Sequence, residues 1–355
     1  MTVLSPISTQ NVGYNTLILQ VGSYNQLKLT TEQQAIANDF QQKVNSVNLE
    51  SDKYVDLRTD LDSVVKYLTR HQNRVQTIRD KVNELITLNW KAQYWGDDVS
   101  RPAYARAFDA VLNSINDTAE NTSDIQNLLG SSEVSSYSYY STISGQTETV
   151  TRTFLGTDYS IVDSGGNTWK RDPDYSRMLK QYDSTGAETG KSASISGGLR
   201  LDSLSDTTVN FTIMPDTSSE ESFTGTLSRS GLQFLDAWLY GELATSDGWT
   251  RASTDLNHAK VTIDAHLPRF KAAVETAQFY YNKADTAISG FRTLVDDYTI
   301  AQAIELQEAE SAYQAENALS YSAVSNTQSL RNEYTKLLSA TGLSPLFKSL
   351  ISLYA

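Results

Sequence analysis

Over residues 31–90 the hydrophobic positions follow a seven-residue repeat. One series of apolar side chains occupies every seventh position: Phe40, Val47, Tyr54, Leu61, Leu68, Val75 and Val82. A second series fills the complementary positions three or four residues away: Ile36, Leu57, Val64, Ile78 and Leu85. This is the a/d pattern of a coiled-coil helix, and it predicts one long helix over residues 31–90. Polar residues interrupt the second series at Lys43, Glu50 and His71.

The ends of this helix carry local sequence markers. Threonines and glutamines within residues 30–34 match a capping box, so we expect the helix to begin there. Trp95-Gly96-Asp97-Asp98 predicts a turn after it. Ser100 is then expected to cap a returning helix with Pro102 in its first turn, and Gly130 is expected to end that helix.

The same heptad pattern returns after Ser253. One series there comprises Ile263, Phe270, Ala277, Ala284, Phe291 and Tyr298, and the other comprises Leu267, Val274, Tyr281, Ile288 and Val295. Pro268 lies inside the pattern, so it either kinks the helix or marks its true start. Two apolar stripes from opposite ends of one chain are most economically buried against each other, which predicts an antiparallel coiled-coil rod.

Between the two helical regions, residues 131–253 have the features of a β-rich insertion. Polar and apolar residues alternate along residues 147–154 and 209–213. Two short strands around residues 160–162 and 168–170 flank an Asp-Ser-Gly-Gly-Asn segment, which predicts a hairpin. Leucines at 232, 235, 239 and 243 predict one short helix within the insertion.

Both termini are unusually apolar for a polar chain. The expected assembly residues at the two ends are Leu4, Ile7, Leu17, Leu19, Leu346, Phe347, Leu350 and Leu353. Segments with so many aliphatic side chains are expected to order against a partner. A rod with apolar ends is suited to stacking into a filament.

Composition narrows the partners and the chemistry. The formal net charge is −13 and the pI is about 4.7, which argues against binding nucleic acid or anionic membranes. The chain has no cysteine, so disulfides and thiolate metal sites are excluded. No stretch is apolar enough to span a membrane, and no ordinary secretory signal is present at the N-terminus.

Candidate catalytic and ligand sites are few. The three histidines, His71, His258 and His266, lack metal-ligand spacing, and no phosphate-binding loop is found, so we expect no metal site and no cofactor. Tyr137, Tyr139 and Tyr140 could form a sugar-binding shelf, although cross-strand packing is the stronger interpretation. Adjacent carboxylates elsewhere are expected to be solvated charges.

The chain resembles bacterial flagellin and its relatives among the flagellar axial proteins. Gln34-Ala35-Ile36-Ala37-Asn38-Asp39-Phe40 is similar to the start of the flagellin N-terminal rod helix. Ile125-Gln126-Asn127-Leu128-Leu129-Gly130 lies where that family has its second rod helix. Tyr334 through Phe347, with Gly342-Leu343-Ser344, looks more like the hook–filament junction protein. The resemblance covers residues 1–130 and 254–355.

The resemblance and the helix pattern together predict an α+β protein in five parts. These are an N-terminal assembly segment (1–30), N-terminal rod helices (31–130), the β-rich insertion (131–253), C-terminal rod helices (254–340) and a C-terminal assembly segment (341–355). The resemblance implies a non-enzymatic subunit of an extracellular flagellar filament. Its expected partners are other copies of itself, an export chaperone, and capping or junction proteins.

Three alternatives remain open at the level of sequence. The chain could be the hook–filament junction protein of the same family. It could be a secretion-system tip or adhesin-like binding module in which the insertion does the work. A glycan-acting enzyme within the insertion ranks last, because no paired catalytic carboxylates can be assigned.

Overall fold

The structure is a computed structural model that describes residues 8–120, 127–130, 136–141 and 145–340. Its α-helices are α1 Ser8–Tyr94, α2 Arg101–Ala119 and α3 Ser246–Ala340, and a 3₁₀ helix spans Ala237–Leu243. Its strands are β1 Ser136–Ser141, β2 Gln146–Thr151, β3 Thr157–Asp163, β4 Thr168–Arg171, β5 Met178–Tyr182, β6 Glu188–Ser194, β7 Leu199–Ser205, β8 Thr208–Ile213 and β9 Glu221–Gly231. The predicted α+β class is confirmed, whereas the coiled-coil rod stays a prediction.

The chain divides into two compact units. Unit 1 comprises residues 1–55 and 285–355, and unit 2 comprises residues 56–284. Helices α1 and α3 each contribute to both units. The five predicted domains have other boundaries and remain a prediction.

Helix α1 begins well before the predicted start at residues 30–34. It is helical from Ser8 onward, so the threonines of the expected capping box lie inside it. The hydroxyls of Thr30 and Thr31 donate to the carbonyls of Gln26 and Leu27, each over 2.9 Å. Threonine inside a helix commonly bonds to the carbonyl four residues earlier, so the expected cap is wrong.

The turn after α1 is held by Asp97. Its Oδ1 accepts bonds from the backbone N–H of Ser100 (2.7 Å) and from the Ser100 hydroxyl (2.6 Å). Ser100 is the N-cap position of α2, but its side chain makes no bond to the helix. Pro102 lies in the first turn of α2, as expected.

Helix α2 ends at Ala119 rather than at Gly130, because other parts of the chain satisfy its last carbonyls. The Arg74 guanidinium donates to the carbonyls of Thr118 (2.6 Å) and Ala119 (3.0 Å). Asn127 Nδ2 also donates to the Ala119 carbonyl over 2.6 Å. The last carbonyls of a helix have no partner within the helix, and side-chain donors can satisfy them in this way. Ile125, in the segment before Gly130 that was predicted to be helical, lies outside the described residues.

Helix α3 begins at Ser246 and continues through Pro268. Pro268 therefore does not mark the start of the helix. The residues after Ala340 lie outside the described residues.

Seven strands form one antiparallel sheet with the order β6-β5-β4-β3-β9-β8-β7. Its two edge strands, β6 and β7, are consecutive in the chain. Six strand spacings in a flat sheet would separate them by about 29 Å. The link from Ser194 to Leu199 can span at most about 18 Å. The sheet must therefore curl.

The predicted hairpin within this sheet is confirmed. Ile161 of β3 faces Trp169 of β4 in the register. Asp163 organises the turn, since its Oδ2 accepts bonds from Trp169 Nε1 (3.0 Å) and Gln181 Nε2 (2.6 Å). Burial alone would raise the pKa of Asp163, but hydrogen bonds from the Asn167 backbone, Gln181 and Trp169 lower it overall.

Aromatic side chains fill the core of the sheet. Trp169 packs against Phe211 and Phe223, with ring centroids 5.5 and 4.9 Å apart. Trp238 of the 3₁₀ helix packs against Phe211 at 5.7 Å. The four leucines expected to form one helix are all buried, but the 3₁₀ helix starts only at Ala237, so the prediction was partly wrong.

Candidate assembly surface

Within unit 1, aromatic rings of α1 and α3 pack against each other. Phe40 meets Tyr298 edge-on, with ring centroids 6.5 Å apart. Tyr54 meets Phe291 at 5.5 Å. These four residues were all predicted from the heptad pattern, and they bring helices from opposite ends of the chain into contact.

The predicted rod-core residues differ in burial along the chain. The fully buried ones are Phe40, Leu61, Leu68, Val75, Val82, Ile263, Phe270 and Ile288. The partly exposed ones are Val47, Tyr54, Val274, Tyr281 and Phe291. Burial along α1 is more complete in unit 2 than in unit 1, as the position of the polar interruptions suggests.

Two of the three polar residues that interrupt the heptad series form ion pairs within α1. Lys43 pairs with Asp39 at 2.7 Å, and its ammonium lies 4.6 Å from the centroid of the Phe40 ring. Glu50 pairs with Lys53 at 2.6 Å on the exposed side of the helix. These two residues therefore remain solvated.

His71, in contrast, is fully buried. Its Nδ1 lies 2.9 Å from the Tyr67 carbonyl, which can only accept, so Nδ1 carries the proton. Its Nε2 then accepts a long bond of 3.4 Å from the Leu128 backbone N–H. His71 thus ties α1 to the segment after α2, which is a structural role.

The predicted terminal assembly residues fall partly within the described residues. Leu17 is 50% exposed and Leu19 is 69% exposed. The remaining six lie outside the described residues: Leu4, Ile7, Leu346, Phe347, Leu350 and Leu353. Leu17 and Leu19, the two members of this set that the structure describes, are therefore not part of a core.

Unit 1 leaves many large apolar side chains exposed. Those in its described part are Leu17, Leu19, Tyr24, Leu27, Leu49, Leu294, Ile300, Ile304, Leu319, Tyr321, Leu330, Tyr334 and Leu337. We call this set the assembly surface. Many of its members, such as Leu49, Ile300 and Ile304, lie off the two heptad series, and sequence reasoning missed them. Where such residues adjoin one another, they form the kind of exposed apolar patch that binds other molecules.

Unit 2 contains a buried polar cluster that sequence reasoning also missed. Asp236 accepts bonds from the Tyr159 hydroxyl (2.7 Å) and from Arg171 Nε (3.0 Å), and Arg171 Nη2 also contacts its other oxygen. Arg171 Nη1 donates to Asn113 Oδ1 over 2.7 Å. Trp238 Nε1 donates to the Tyr159 hydroxyl over 3.1 Å. No sequence motif links these residues, which come from α2, the sheet and the 3₁₀ helix.

Two more carboxyl groups lie near this cluster. Asp109 Oδ1 accepts the Ala237 N–H over 2.7 Å, and burial, followed by the charge of Asp236, raises its pKa well above the usual value. Burial, followed by Asp236, raises the pKa of Glu242 to about 7. Glu242 Oε1 is buried without a hydrogen-bond partner.

The backbone at Glu242 is also unusual. Its φ is +56°, in the left-handed region that disfavours residues with a Cβ. Raised pKa values and backbone strain often occur at active sites. Here, however, the Asp236 side chain is only 1% exposed, so a substrate has no access to it. The cluster is part of the core of unit 2.

The three tyrosines of the predicted sugar-binding shelf do not lie on one face of strand β1. Tyr137 packs on the Tyr67 ring at 4.5 Å, and Tyr139 is buried. Tyr140 points away and is exposed. The three rings therefore do not share one sugar-binding face.

An exposed aromatic group lies at the end of α1. The Trp90 ring is 5.3 Å from that of Tyr94 and 4.8 Å from that of Trp95, and all three are exposed. The sequence signal for this group is the close spacing of the three aromatics, of which only Trp95 entered the turn prediction.

The described residues hold no obvious metal or membrane feature. Among them, no three or more Asp, Glu, His or Cys side chains are grouped so as to bind a metal ion. Of the helices that the structure describes, none has the length and apolarity needed to cross a bilayer.

Comparison with known proteins gives only distant likenesses. No protein-family model and no curated protein matches this chain. Among solved structures, FlgL of Xanthomonas campestris is 12% identical with a TM-score of 0.27, and the match covers 74% of this chain and 99% of that one. The flagellar junction protein FlgL from Legionella pneumophila is 13% identical with a TM-score of 0.29, covering 77% and 99%. At TM-scores this low, neither structure sets the fold or the function of this chain.

Proposed function

We propose that this chain is a structural, non-enzymatic subunit of an extracellular assembly of the flagellar axial type. The observation that carries the proposal is the assembly surface of unit 1, which is built by the two ends of the chain. It lies on α1 and α3. The sequence resembles the axial proteins at residues 34–40 and 334–347.

The assembly surface is large enough to support association. Burying one large apolar side chain contributes about 1.5–3 kcal/mol. Association of two proteins costs about 4–15 kcal/mol in lost freedom. Roughly five to ten such side chains covered by neighbouring subunits would offset even the upper figure.

The proposal extends to the rod helices, the chain termini and further partners. The heptad series of α1 and α3 would form the rod, with the ring contacts of Phe40 and Tyr54 as support for their pairing. Residues 1–30 and 341–355 would contact other subunits. An export chaperone and neighbouring axial proteins would be further partners.

Within the axial family we favour the junction position over the filament subunit. The support is the stretch from Tyr334 through Phe347, which resembles the hook–filament junction protein more than flagellin. A junction subunit forms a short layer between other proteins, whereas a filament subunit polymerises without limit. The two positions therefore predict different behaviour of the purified protein.

Electron microscopy and sedimentation of concentrated protein test the proposal. Discrete particles or short rings would support the junction position, and long uniform fibres would support the filament subunit. A protein that stays monomeric at all concentrations, and does not bind the ends of flagellar filaments, would contradict both.

A matched pair of variants tests the assembly surface itself. Ile304→Asp places a charge on this surface, and Asn257→Asp places the same charge at an exposed position of α3 in unit 2, outside this surface. We expect Ile304→Asp to abolish association and Asn257→Asp to preserve it. Circular dichroism should find the helix content of both variants unchanged, because neither position is buried. Equal association of the two variants would remove the assembly surface from the mechanism.

A further inference from the structure

A cavity of about 100 Å³ lies in unit 2, between helix α3 and the chain around the end of β2. Three threonines on one side, Thr149, Thr151 and Thr153, face Arg269 and Phe270 of α3 across it. A water molecule occupies about 30 Å³ in the liquid. The cavity therefore has room for a few waters or for one small polyatomic ion.

The charge at this cavity is unbalanced. Arg269 has no hydrogen bond or ion pair with any acidic side chain in the part of the chain that the structure describes. The chain carries 42 acidic and 29 basic residues, yet no acidic residue lines this cavity. By contrast, Arg171, Arg200 and Arg229 are each paired with an aspartate.

Arg152 lies between two of the lining threonines in sequence but does not itself line the cavity. Its Nε is buried without a hydrogen-bond partner. Its guanidinium occupies the space where a Cβ on Gly130 would lie, only 1.7 Å from Nη2. Gly130 was expected to end a helix, but here it makes room for this side chain.

The threonines supply neutral donors next to these charges. Thr149 Oγ1 is bonded to the Ser138 hydroxyl at 2.9 Å, whereas the Thr151 hydroxyl has no partner among the described residues. Thr153 Oγ1 lies 3.5 Å from His266 Nδ1. Burial, followed by the positive charge of Arg269, lowers the pKa of His266. A neutral imidazole and a hydroxyl can each donate one hydrogen bond.

We propose that this cavity is a binding site for one small tetrahedral oxyanion, with Arg269 as the main ligand and the Thr151 and Thr153 hydroxyls as neutral donors. Guanidinium groups match the oxygens of phosphate and sulfate in spacing and charge. A bound oxyanion would balance the charge of Arg269, which no acidic side chain of the described chain does. The site is separate from the assembly surface, which belongs to unit 1.

Isothermal titration calorimetry of the full-length protein with inorganic phosphate, and separately with sulfate, tests this site. We expect one ion bound per chain, and binding weakened about tenfold or more by Arg269→Gln. Arg269→Lys keeps the charge but loses the planar guanidinium group. Its affinity for the ion should therefore fall between those of the unmodified protein and Arg269→Gln. Thr151→Val removes one hydroxyl at an exposed position and should weaken binding by a smaller factor.

Arg292→Gln is the matched control, because Arg292 is exposed and has no ion pair among the described residues. It changes the net charge by the same amount and should leave binding unchanged. Circular dichroism of each variant separates loss of binding from loss of fold. The proposal is overturned if the unmodified protein takes up neither ion, or if folded Arg269→Gln and Arg292→Gln bind phosphate equally well.

Discussion

Asn25 of α1 donates a hydrogen bond from Nδ2 to Oδ1 of Asn317 in α3, over 2.8 Å. Asn25 is only 7% exposed, although it lies in the segment expected to order only against a partner molecule. A buried amide pair fixes the alignment of two helices, since any shift leaves both groups unsatisfied. The nearby pair Lys28–Glu316, at 2.6 Å, holds the same alignment from the exposed side.

Replacing Asn25 by alanine should loosen the ends of unit 1. The change removes one hydrogen bond and leaves the Asn317 amide without its partner, at a cost of about 1–3 kcal/mol. Hydrogen exchange in residues 16–30 and 310–325 should become faster. Asn38→Ala is the control, because Asn38 is exposed on the same helix. If both variants exchange alike, the amide pair does not set the alignment.

Leu68→Asp should strongly destabilise unit 2. Leu68 is 0% exposed, and an unpaired carboxylate there must lose its hydration. We expect a loss of more than about 3 kcal/mol in the free energy of unfolding, measured by chemical denaturation. Asp62→Ala breaks only the exposed ion pair with Lys66, at 2.6 Å, and should cost less than about 1 kcal/mol. Similar denaturation curves would mean that the heptad series is misassigned.

Glu242→Gln should stabilise the protein at alkaline but not at acidic pH. The pKa of Glu242 rises from 4.5 in the unfolded chain to about 7 in the fold, so the folded state favours the protonated form. The stabilisation from this proton is complete below about pH 4.5 and is lost as the pH rises through 7. At pH 8 the neutral glutamine should therefore raise the free energy of unfolding by about 2–3 kcal/mol.

Urea denaturation at pH 4.5 and pH 8 measures this difference. Glu84→Gln serves as the control, because Glu84 is exposed on α1. It should change stability little at either pH. A Glu242→Gln variant whose gain is the same at both pH values would show that the effect comes from packing and not from the proton.

Asp236→Asn should be costly, because it leaves the Arg171 guanidinium buried without a counter-charge. Removing one member of a buried ion pair typically costs about 3–5 kcal/mol. Asp216 lies 3.6 Å from Arg200 and is almost fully exposed, so Asp216→Asn should cost less than about 0.5 kcal/mol. Thermal unfolding of the two variants provides the comparison. Comparable melting temperatures would mean that the Arg171–Asp236 pair contributes little.

Local patterns in the sequence sufficed for the parts of the fold that depend on neighbouring residues. The heptad series of α1 and α3, and the hairpin that pairs Ile161 with Trp169, are determined by spacing and turn residues. The start of α1 was missed, because its partners lie in α3. A Cβ at Gly22 would meet Tyr321 Oη of α3 at 3.9 Å, an ordinary contact distance, so this helix does not require glycine there.

Long-range polar contacts were not predictable from spacing. Arg74 caps α2 from the middle of α1, and this decides where α2 ends. Arg171, Asp236 and Asp109 come from three separate regions, and only the fold brings their charges together. The assembly surface was missed for a related reason, since burial of the heptad series does not reveal which of the remaining apolar residues stay exposed.

The strand order of the curled sheet has a consequence for how fast the protein folds. Strands β3 to β6 form one run of neighbouring hairpins, and strands β7 to β9 form another. The two runs join only through β3 and β9, from Thr157 opposite Gly231 to Asp163 opposite Gly225. Closing that loop costs more entropy than forming any hairpin, so we expect the β3–β9 pair to form last and to limit the rate. Leu227→Ala in β9 should then slow folding more than it accelerates unfolding, as stopped-flow tryptophan fluorescence can measure.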